Sequence, residues 1–427
     1  MIMSRLTVKK AFFIISIVLM LSFIHIEWSN AGSLVLPFSQ EEKAKILDLI
    51  WDERAIPSSP SNRYANNKVA ARLGRNLFFD PRLSGDNSTS CATCHNPARG
   101  WSDGEATPVR FPQVKRHTPS LWNLAFYDNY FWDGHADSLW IQALFPLEGR
   151  PEMDSHRLKV VTLIVQDKYL KELYEDTFGK ISTALVDNVK KGFSSNLITQ
   201  NNFDGWNRVY LQLDYQQKEE ISRIFANVGK ALEAFQTNIW AGTSKFDLFA
   251  RQITNKEFDR EPTLSFGAQK GLKLFLVNCL QCHNGMNFSD SRFYNLGLQE
   301  HKPFSDWDKG RFEGIKLARD SELSRLSKYS DMKPKIGGDN TATTDTLGAF
   351  RTPSLRNVNL HPPYMHDGKV RSLADAIEAH IKILPVPLTE KDTEDLIAFL
   401  QALTDVRVEG DDIGGLKQIN QKIDEDG

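Results

Sequence analysis

Cys91-Ala92-Thr93-Cys94-His95 and Cys279-Leu280-Gln281-Cys282-His283 each set two thiols three positions apart, with an imidazole next to the second. Thiols at that spacing can add to the two vinyl groups of a haem, and the adjoining His then lies under the iron as its proximal ligand. The competing chemistries are a zinc site and a redox dithiol. Zinc would want a second Cys or His pair near each motif, and a lone redox pair has no need of His directly after it in both copies. All four cysteines of the chain lie in these two pentapeptides, so none is left to staple the fold. Two covalent c-type haems are therefore expected. Cys91, Cys94, Cys279 and Cys282 attach them, and His95 and His283 are their proximal ligands.

The segments around the motifs repeat as well. Ala71 to Phe79 ahead of the first motif echoes Ala268 to Leu276 ahead of the second, each reading as a short amphipathic helix that delivers Leu-Phe to a core. Thr118-Pro-Ser-Leu-Trp-Asn123 matches Thr352-Pro-Ser-Leu-Arg-Asn357. Asp133-Gly134 then matches Asp367-Gly368, and Ser138-Leu139 matches Ser372-Leu373, with no gap. Matched blocks in one order indicate a duplicated haem-binding unit.

The elements around these blocks read as helices. Residues 219–240 carry Ile221, Ile224, Phe225, Val228, Leu232, Phe235 and Ile239 at helical spacing, a helix that links or packs the two halves. Thr389-Glu-Lys-Asp392 resembles a capping box opening a helix with Leu396, Ile397, Leu400 and Leu403. Strand-like alternation is scarce, and 302–346 is polar, contains Gly and reads as a long loop or insertion. The expected fold class is mainly α: two cytochrome c-like domains, 32–218 and 219–427, related by the repeat.

The chain's start points to export. Arg5, Lys9 and Lys10 precede an apolar run from Ala11 to Ile26, and Ser29-Asn30-Ala31 supplies a small-residue cleavage site. Residues 1–31 thus read as a signal peptide, with an uncleaved anchor as the alternative. Of the 427 residues 41 % are apolar and 25 % charged, ordinary for a globular protein with a substantial core. A net charge of −2 and the lack of a long basic run argue against nucleic acid as a partner.

Distal ligands separate the two haems. Ser372 caps an expected helix whose apolar face is Leu373, Ile377, His380 and Leu384. A histidine in such a place is ordinarily a core residue satisfied by a carbonyl. Beside a haem that needs a sixth ligand, ligation becomes the better expectation. The same offset in the first unit puts Pro146 where His380 stands. Proline cannot ligate iron, so one haem is expected to be saturated and the other open on its distal side.

Taken together these motifs resemble the bacterial di-haem cytochrome c peroxidases and their relative MauG, over most of the chain from about Leu73 to Leu403. Leu77 to Ser84, Phe131-Trp-Asp-Gly134, Pro151-Glu-Met153 and Tyr364-Met-His-Asp-Gly368 carry the resemblance alongside the haem motifs and Thr118-Pro-Ser-Leu121. The resemblance implies that the haem of His95 reacts with hydrogen peroxide, with Gln142 and Glu152 on its distal side. A base there takes a proton from peroxide and returns it to the departing oxygen, and an apolar setting from Pro151 and Met153 would raise the carboxylate's affinity for that proton. It implies further that Trp132 lies between the haems and carries electrons, a position the repeat fills with His366. It also implies a calcium ion between the domains, held by Asn123 and the backbone carbonyls of His361 and Pro363, since calcium readily takes neutral oxygens.

Two departures from that family stand out. The loop Glu105–Lys115 before Thr118 lacks the removable distal His of the peroxidases, and His117 is expected to hydrogen-bond rather than ligate. His380 stands where the peroxidases have Met and MauG has Tyr, which should lower the potential of the second haem. The leading expectation is thus a periplasmic peroxidase fed by a small donor protein, a cytochrome c or a copper protein. A MauG-like oxidase that modifies a partner protein is the alternative. A plain electron-transfer cytochrome is a third, opposed by Pro146, Gln142 and Glu152, because a carrier gains nothing from an open iron. The family also suggests a homodimer, for which no interface can be read.

Overall fold

The computed structural model describes residues 35–108, 111, 113–193, 201–256, 261–298, 307–332, 343–408 and 414–424. The export segment expected over 1–31 lies outside them. Regular structure is mainly helical, as expected. Among the described residues strand is confined to Phe293–Tyr294, paired antiparallel with Phe350–Arg351. No helix among them is long and apolar enough to cross a membrane.

Each half is built on two helices crossing at a glycine. Helix Lys68–Phe78 precedes the first haem motif and starts at Asn67, whose side chain accepts from the Ala70 N–H at 2.9 Å. Helix Phe266–Asn278 precedes the second and starts at Ser265, which accepts from the Ala268 N–H at 3.2 Å. Gly74 lies against helix Tyr215–Gln236, where an added Cβ would stand 1.9 Å from the Ala231 carbonyl oxygen. Gly271, its counterpart in the repeat, lies against helix Glu390–Gln401, where the same atom would stand 2.0 Å from the Asp395 carbonyl oxygen. Only a residue without Cβ permits that approach, so the repeat preserves one helix crossing in two copies.

This pairing reassigns the long helix. The expected division gave residues from 219 onward to the second half. Ile221, Phe225, Leu232 and Phe235 instead share a core with Leu73, Phe78, Trp101 and Trp140 of the first. Helical spacing shows that a face is apolar without showing what it packs against. The second half's own crossing helix is Glu390–Gln401, opened by the Thr389–Asp392 capping box. The termini also trade places. Phe38, Ile46 and Leu49 join the second core beside Phe246, Phe275 and Phe399. Ile419 and Ile423 join the first, where Arg75 pairs with Asp424 at 2.7 Å.

The segment 302–346 is more than a loop: its described part contains helix Arg311–Asp320. Its polar surface hid it from the sequence, because it buries only Arg311, Gly314 and Ile315. Arg311 Nη1 donates to the Gly134 carbonyl at 2.7 Å and to the Asp133 carbonyl at 3.2 Å. A Cβ at Gly314 would stand 2.3 Å from the Asp133 carbonyl oxygen. The insertion therefore seats on the turn that follows Trp132.

Candidate active site

The two pentapeptides fold alike. In each, the His N–H donates to the carbonyl of the first Cys at 2.9 Å, Cys91 for His95 and Cys279 for His283. His95 Nδ1 then donates to the Trp101 carbonyl at 3.1 Å, and His283 Nδ1 to the Phe288 carbonyl at 2.9 Å. Trp101 and Phe288 both have positive φ, 63° and 51°. A carbonyl can only accept, so Nδ1 carries the proton and Nε2 keeps a lone pair for a metal. Burial pushes both imidazoles down, His283 to about 4, which holds them in the neutral, ligating form. The four cysteines form no disulfide. Burial pushes Cys91 and Cys279 up to about 12, the reverse of a redox-active thiol.

A cavity of about 350 Å³ opens beside Cys279, Cys282 and His283 and is walled by both halves of the chain. His380 faces His283 across it. Ser372 caps helix Leu373–Glu378 as expected, accepting from the Asp375 N–H at 3.0 Å, and His380 lies just beyond the helix end. Its Nδ1 donates to the Ala376 carbonyl at 2.7 Å, which again leaves Nε2 toward the cavity's occupant. The two ring centres stand 6.5 Å apart. Two imidazoles sharing one metal at about 2 Å per bond, with about 1 Å more from nitrogen to ring centre, stand roughly 6 Å apart. Arg351 Nη1 is buried on the same cavity with no hydrogen-bond partner among the described residues. A guanidinium there suits a haem carboxylate. His283 and His380, with Arg351 at the cavity's edge, are the residues that would hold a haem here.

Around the residues expected on the first unit's distal side the chain is built differently. Gln142 ends the short helix Leu139–Gln142, and its Oε1 is buried without a partner among the described residues. Pro146 lies inside the next helix, Phe145–Glu148. The chain then folds back: the Glu152 N–H donates to the Gly149 carbonyl at 2.9 Å and the Met153 N–H to the Pro146 carbonyl at 3.2 Å. Glu152 Oε2 packs against Gly149, where a Cβ would leave it only 2.6 Å. Burial raises the Glu152 carboxyl above its ordinary value, as expected, with His135 pulling the other way. Met153 is buried, but Pro151 is exposed and adds no wall.

Between the units, Trp132 lines the cavity of the second haem although it belongs to the first half. Its indole N–H donates to the His117 carbonyl at 2.8 Å, and the His117 N–H donates to the His366 carbonyl at 2.8 Å. His117 Nδ1 donates to the Glu105 carbonyl at 2.8 Å, the bonding role expected of it. Trp132 and His366, equivalent in the repeat, thus meet through His117.

Asn123, expected at a calcium ion, ties two distant segments together. The Asn123 side chain accepts from the Ala241 N–H at 2.8 Å and donates to Asn287 at 2.9 Å. Its counterpart Asn357 accepts from the Asp405 N–H at 2.8 Å, and both residues have φ near 60°. Each asparagine ties its Thr-Pro-Ser-Leu segment to the end of the crossing helix. Among the described residues no cluster of three His, Cys, Asp or Glu side chains could hold a metal.

Sequence reasoning passed over two residues of this region. His135 directly follows the quoted Phe-Trp-Asp-Gly run, and its repeat partner is Lys369, which offered no signal. Arg351 immediately precedes Thr352 and aligns with His117, so the repeat did mark the position.

Known proteins resemble this chain in sequence and fold. A family model described as di-haem cytochrome c peroxidase matches residues 68–255. The methylamine utilization protein MauG of Methylorubrum extorquens is 30 % identical over 390 residues, covering 88 % of this chain and 89 % of the relative. The cytochrome c551 peroxidase of Pseudomonas aeruginosa is 30 % identical over 339 residues, 78 % of each chain. Among solved structures, a MauG-like protein associated with microbial copper homeostasis superposes with a TM-score of 0.57 at 23 % identity, over 83 % of this chain and 95 % of that one. The chain belongs to the family of di-haem cytochrome c peroxidases and MauG, as an oxidoreductase with two c-type haems.

Proposed function

We propose that this protein reduces hydrogen peroxide to water in the periplasm, with electrons from a small soluble donor such as a cytochrome c or a copper protein. The observation that carries the assignment is the inequality of the two distal sides. His380 faces His283 with a free Nε2. The first unit offers no such ring at the matching place and instead presents Gln142 Oε1 and Glu152, both without hydrogen-bond partners among the described residues. When bound, the haems supply the redox chemistry, one toward peroxide and the other toward the donor. The chain's own residues handle protons and access. Glu152, its carboxyl raised by burial, takes a proton from the near oxygen of peroxide and returns it to the departing one. Gln142 directs its amide at the bound oxygen atoms. Trp132 lies on the cavity of the second haem and provides the aromatic bridge for electrons.

A second reading, a MauG-like oxidase acting on a partner protein, is favoured by two features: the loop before Thr118 has no His, and His380 replaces Met. One experiment separates the two. The purified diferric holoprotein is mixed with peroxide, with and without reduced cytochrome c. Rapid oxidation of the donor supports the peroxidase. A long-lived oxidised form with poor donor turnover supports the oxidase, and inertness to peroxide removes both.

A further inference from the structure

The turn that follows each haem motif is built alike in the two units, up to one hydroxyl. Ser102-Asp103 after the first motif corresponds to Ser289-Asp290 after the second. The Ser102 hydroxyl donates to the Thr118 carbonyl at 2.8 Å, and the Ser289 hydroxyl to the Thr352 carbonyl at 2.7 Å. One oxygen of each aspartate accepts the backbone N–H two residues on, from Glu105 at 3.0 Å and from Arg292 at 2.9 Å. The other oxygens differ. Asp103 Oδ2 takes the Thr118 hydroxyl at 2.9 Å, whereas Asp290 Oδ2 takes the phenol of Tyr294 at 2.7 Å. Thr352, the counterpart of Thr118, turns its hydroxyl to the Arg292 carbonyl at 3.3 Å instead. The position equivalent to Tyr294 in the first unit is Thr107, so this phenol belongs to the second unit alone.

The phenol and its carboxylate are both anchored beside the second haem motif. Tyr294 pairs with Phe350 in the two-stranded sheet, and the Thr352 N–H extends that pairing with a 2.8 Å bond to the Arg292 carbonyl. Phe350 in turn stacks on His366, 3.6 Å between ring centres at 11°. The Asp290 N–H donates to the Cys282 carbonyl at 2.9 Å, which fixes the aspartate to the haem-binding pentapeptide. Tyr294, Cys282, His283 and His380 line one cavity. Tyr294 is half-buried while its neighbour Asn295 is exposed, so the phenol stands at the cavity's rim. Removing an electron from a tyrosine makes its hydroxyl a strong acid, so the electron leaves readily only where the proton has a place to go. A carboxylate at 2.7 Å, the length of a charge-assisted O–H···O bond, supplies that place.

We propose that Tyr294 is a redox-active residue of the second haem, oxidised by one electron as its proton passes to Asp290. This rests on the peroxidase assignment. Reduction of one peroxide to two waters withdraws two electrons and takes up two protons from water. With no donor present, Tyr294 supplies one of those electrons and the haems the other. The Tyr294 O–H bond breaks, its proton goes to Asp290 Oδ2 and its electron to the haem held by His283 and His380, which leaves a neutral phenoxyl radical. A reduced donor returns one electron to that radical, Asp290 returns the proton, and the phenol is restored. Tyr294 thus holds one oxidising equivalent near the surface, where a partner protein can meet it.

The test mixes the holoprotein with hydrogen peroxide in the absence of donor and freezes it at intervals. Its electron paramagnetic resonance spectrum should show a tyrosine radical, narrowed when the protein is made with ring-deuterated tyrosine. A nitroso spin trap followed by peptide mass spectrometry should mark Tyr294. Tyr294→Phe should lose more than half of the radical, with both haems still attached. Asp290→Asn keeps an acceptor for the Arg292 N–H but offers no base, and the radical should form roughly tenfold more slowly or worse. A wild type that reacts with peroxide yet yields no tyrosine radical, a Tyr294→Phe spectrum that keeps more than half of it, or a slowing below about threefold in Asp290→Asn would each overturn the proposal while the peroxidase assignment stands. A wild-type holoprotein inert to peroxide overturns that assignment, and the redox role of Tyr294 with it.

Discussion

Replacing Glu152 with Gln keeps the size of the side chain and removes its capacity to hold and return a proton. General acid–base catalysis of this kind contributes about 10²–10⁴ in rate, or about 3–5 kcal/mol of barrier. Glu152→Gln should therefore reduce the second-order rate of the holoenzyme with peroxide by at least a hundredfold. The pH dependence follows from burial, which raises the carboxyl above its ordinary value. The working base is the ionised form, so the wild-type rate should fall as pH drops through that raised value, and Glu152→Gln should lose this limb. Stability runs the other way. A carboxyl raised in the folded state is most stabilising in its protonated form, below the unfolded value, and that stability is lost as pH rises through the folded one. At neutral pH the ionised Glu152 thus destabilises the fold, and Glu152→Gln should melt higher than wild type, by a margin that vanishes toward pH 4. Stopped-flow spectrophotometry and thermal melts across pH measure the two effects. A Glu152→Gln enzyme that reacts within threefold of wild type, or melts lower at every pH, would refute the reasoning.

Other substitutions probe the scaffold and the second haem. Arg356 and Asp247 are fully buried and paired at 2.9 Å, and Arg356 also donates to the Leu49 carbonyl at 2.9 Å, tying the chain's start to the second core. Arg356→Met strands the carboxylate and should cost about 3–5 kcal/mol in denaturant unfolding; a loss below about 1 kcal/mol would contradict that. Burial raises the Glu233 carboxyl to about 7, so its stabilising protonated form is lost as pH rises through neutrality. Glu233→Gln should be the more stable protein at pH 8, by on the order of 3 kcal/mol at most, and equal to wild type near pH 4. His380→Met should raise the reduction potential of the second haem in a spectroelectrochemical titration, because a thioether favours the ferrous state more than imidazole does. An unchanged potential would remove His380 from the iron.

Covalent chemistry was readable from the chain alone because it depends on neighbours in sequence. A Cys-x-x-Cys-His pentapeptide carries its attachment thiols and proximal ligand on one turn, and four cysteines in two such motifs left no rival use. Internal repetition was readable for the same reason. It placed His380 opposite Pro146 and so made the two haems unequal before any distance was known. Tertiary structure decided which surfaces meet. Helix Tyr215–Gln236 has an apolar face under either division of the chain, and only its packing, by the close approach at Gly74 and a core shared with Leu73 and Trp140, gives it to the first half. The Asn123 carboxamide is engaged by Ala241 and Asn287, residues more than a hundred positions away, which no local spacing foretells. His135 had no signal in the sequence at all, because its setting is assembled from Asp133, Arg116, Phe145 and a helix of the insertion. Local spacing determines what a segment can bind, whereas burial and partners from distant segments determine the protonation and orientation on which a reaction depends.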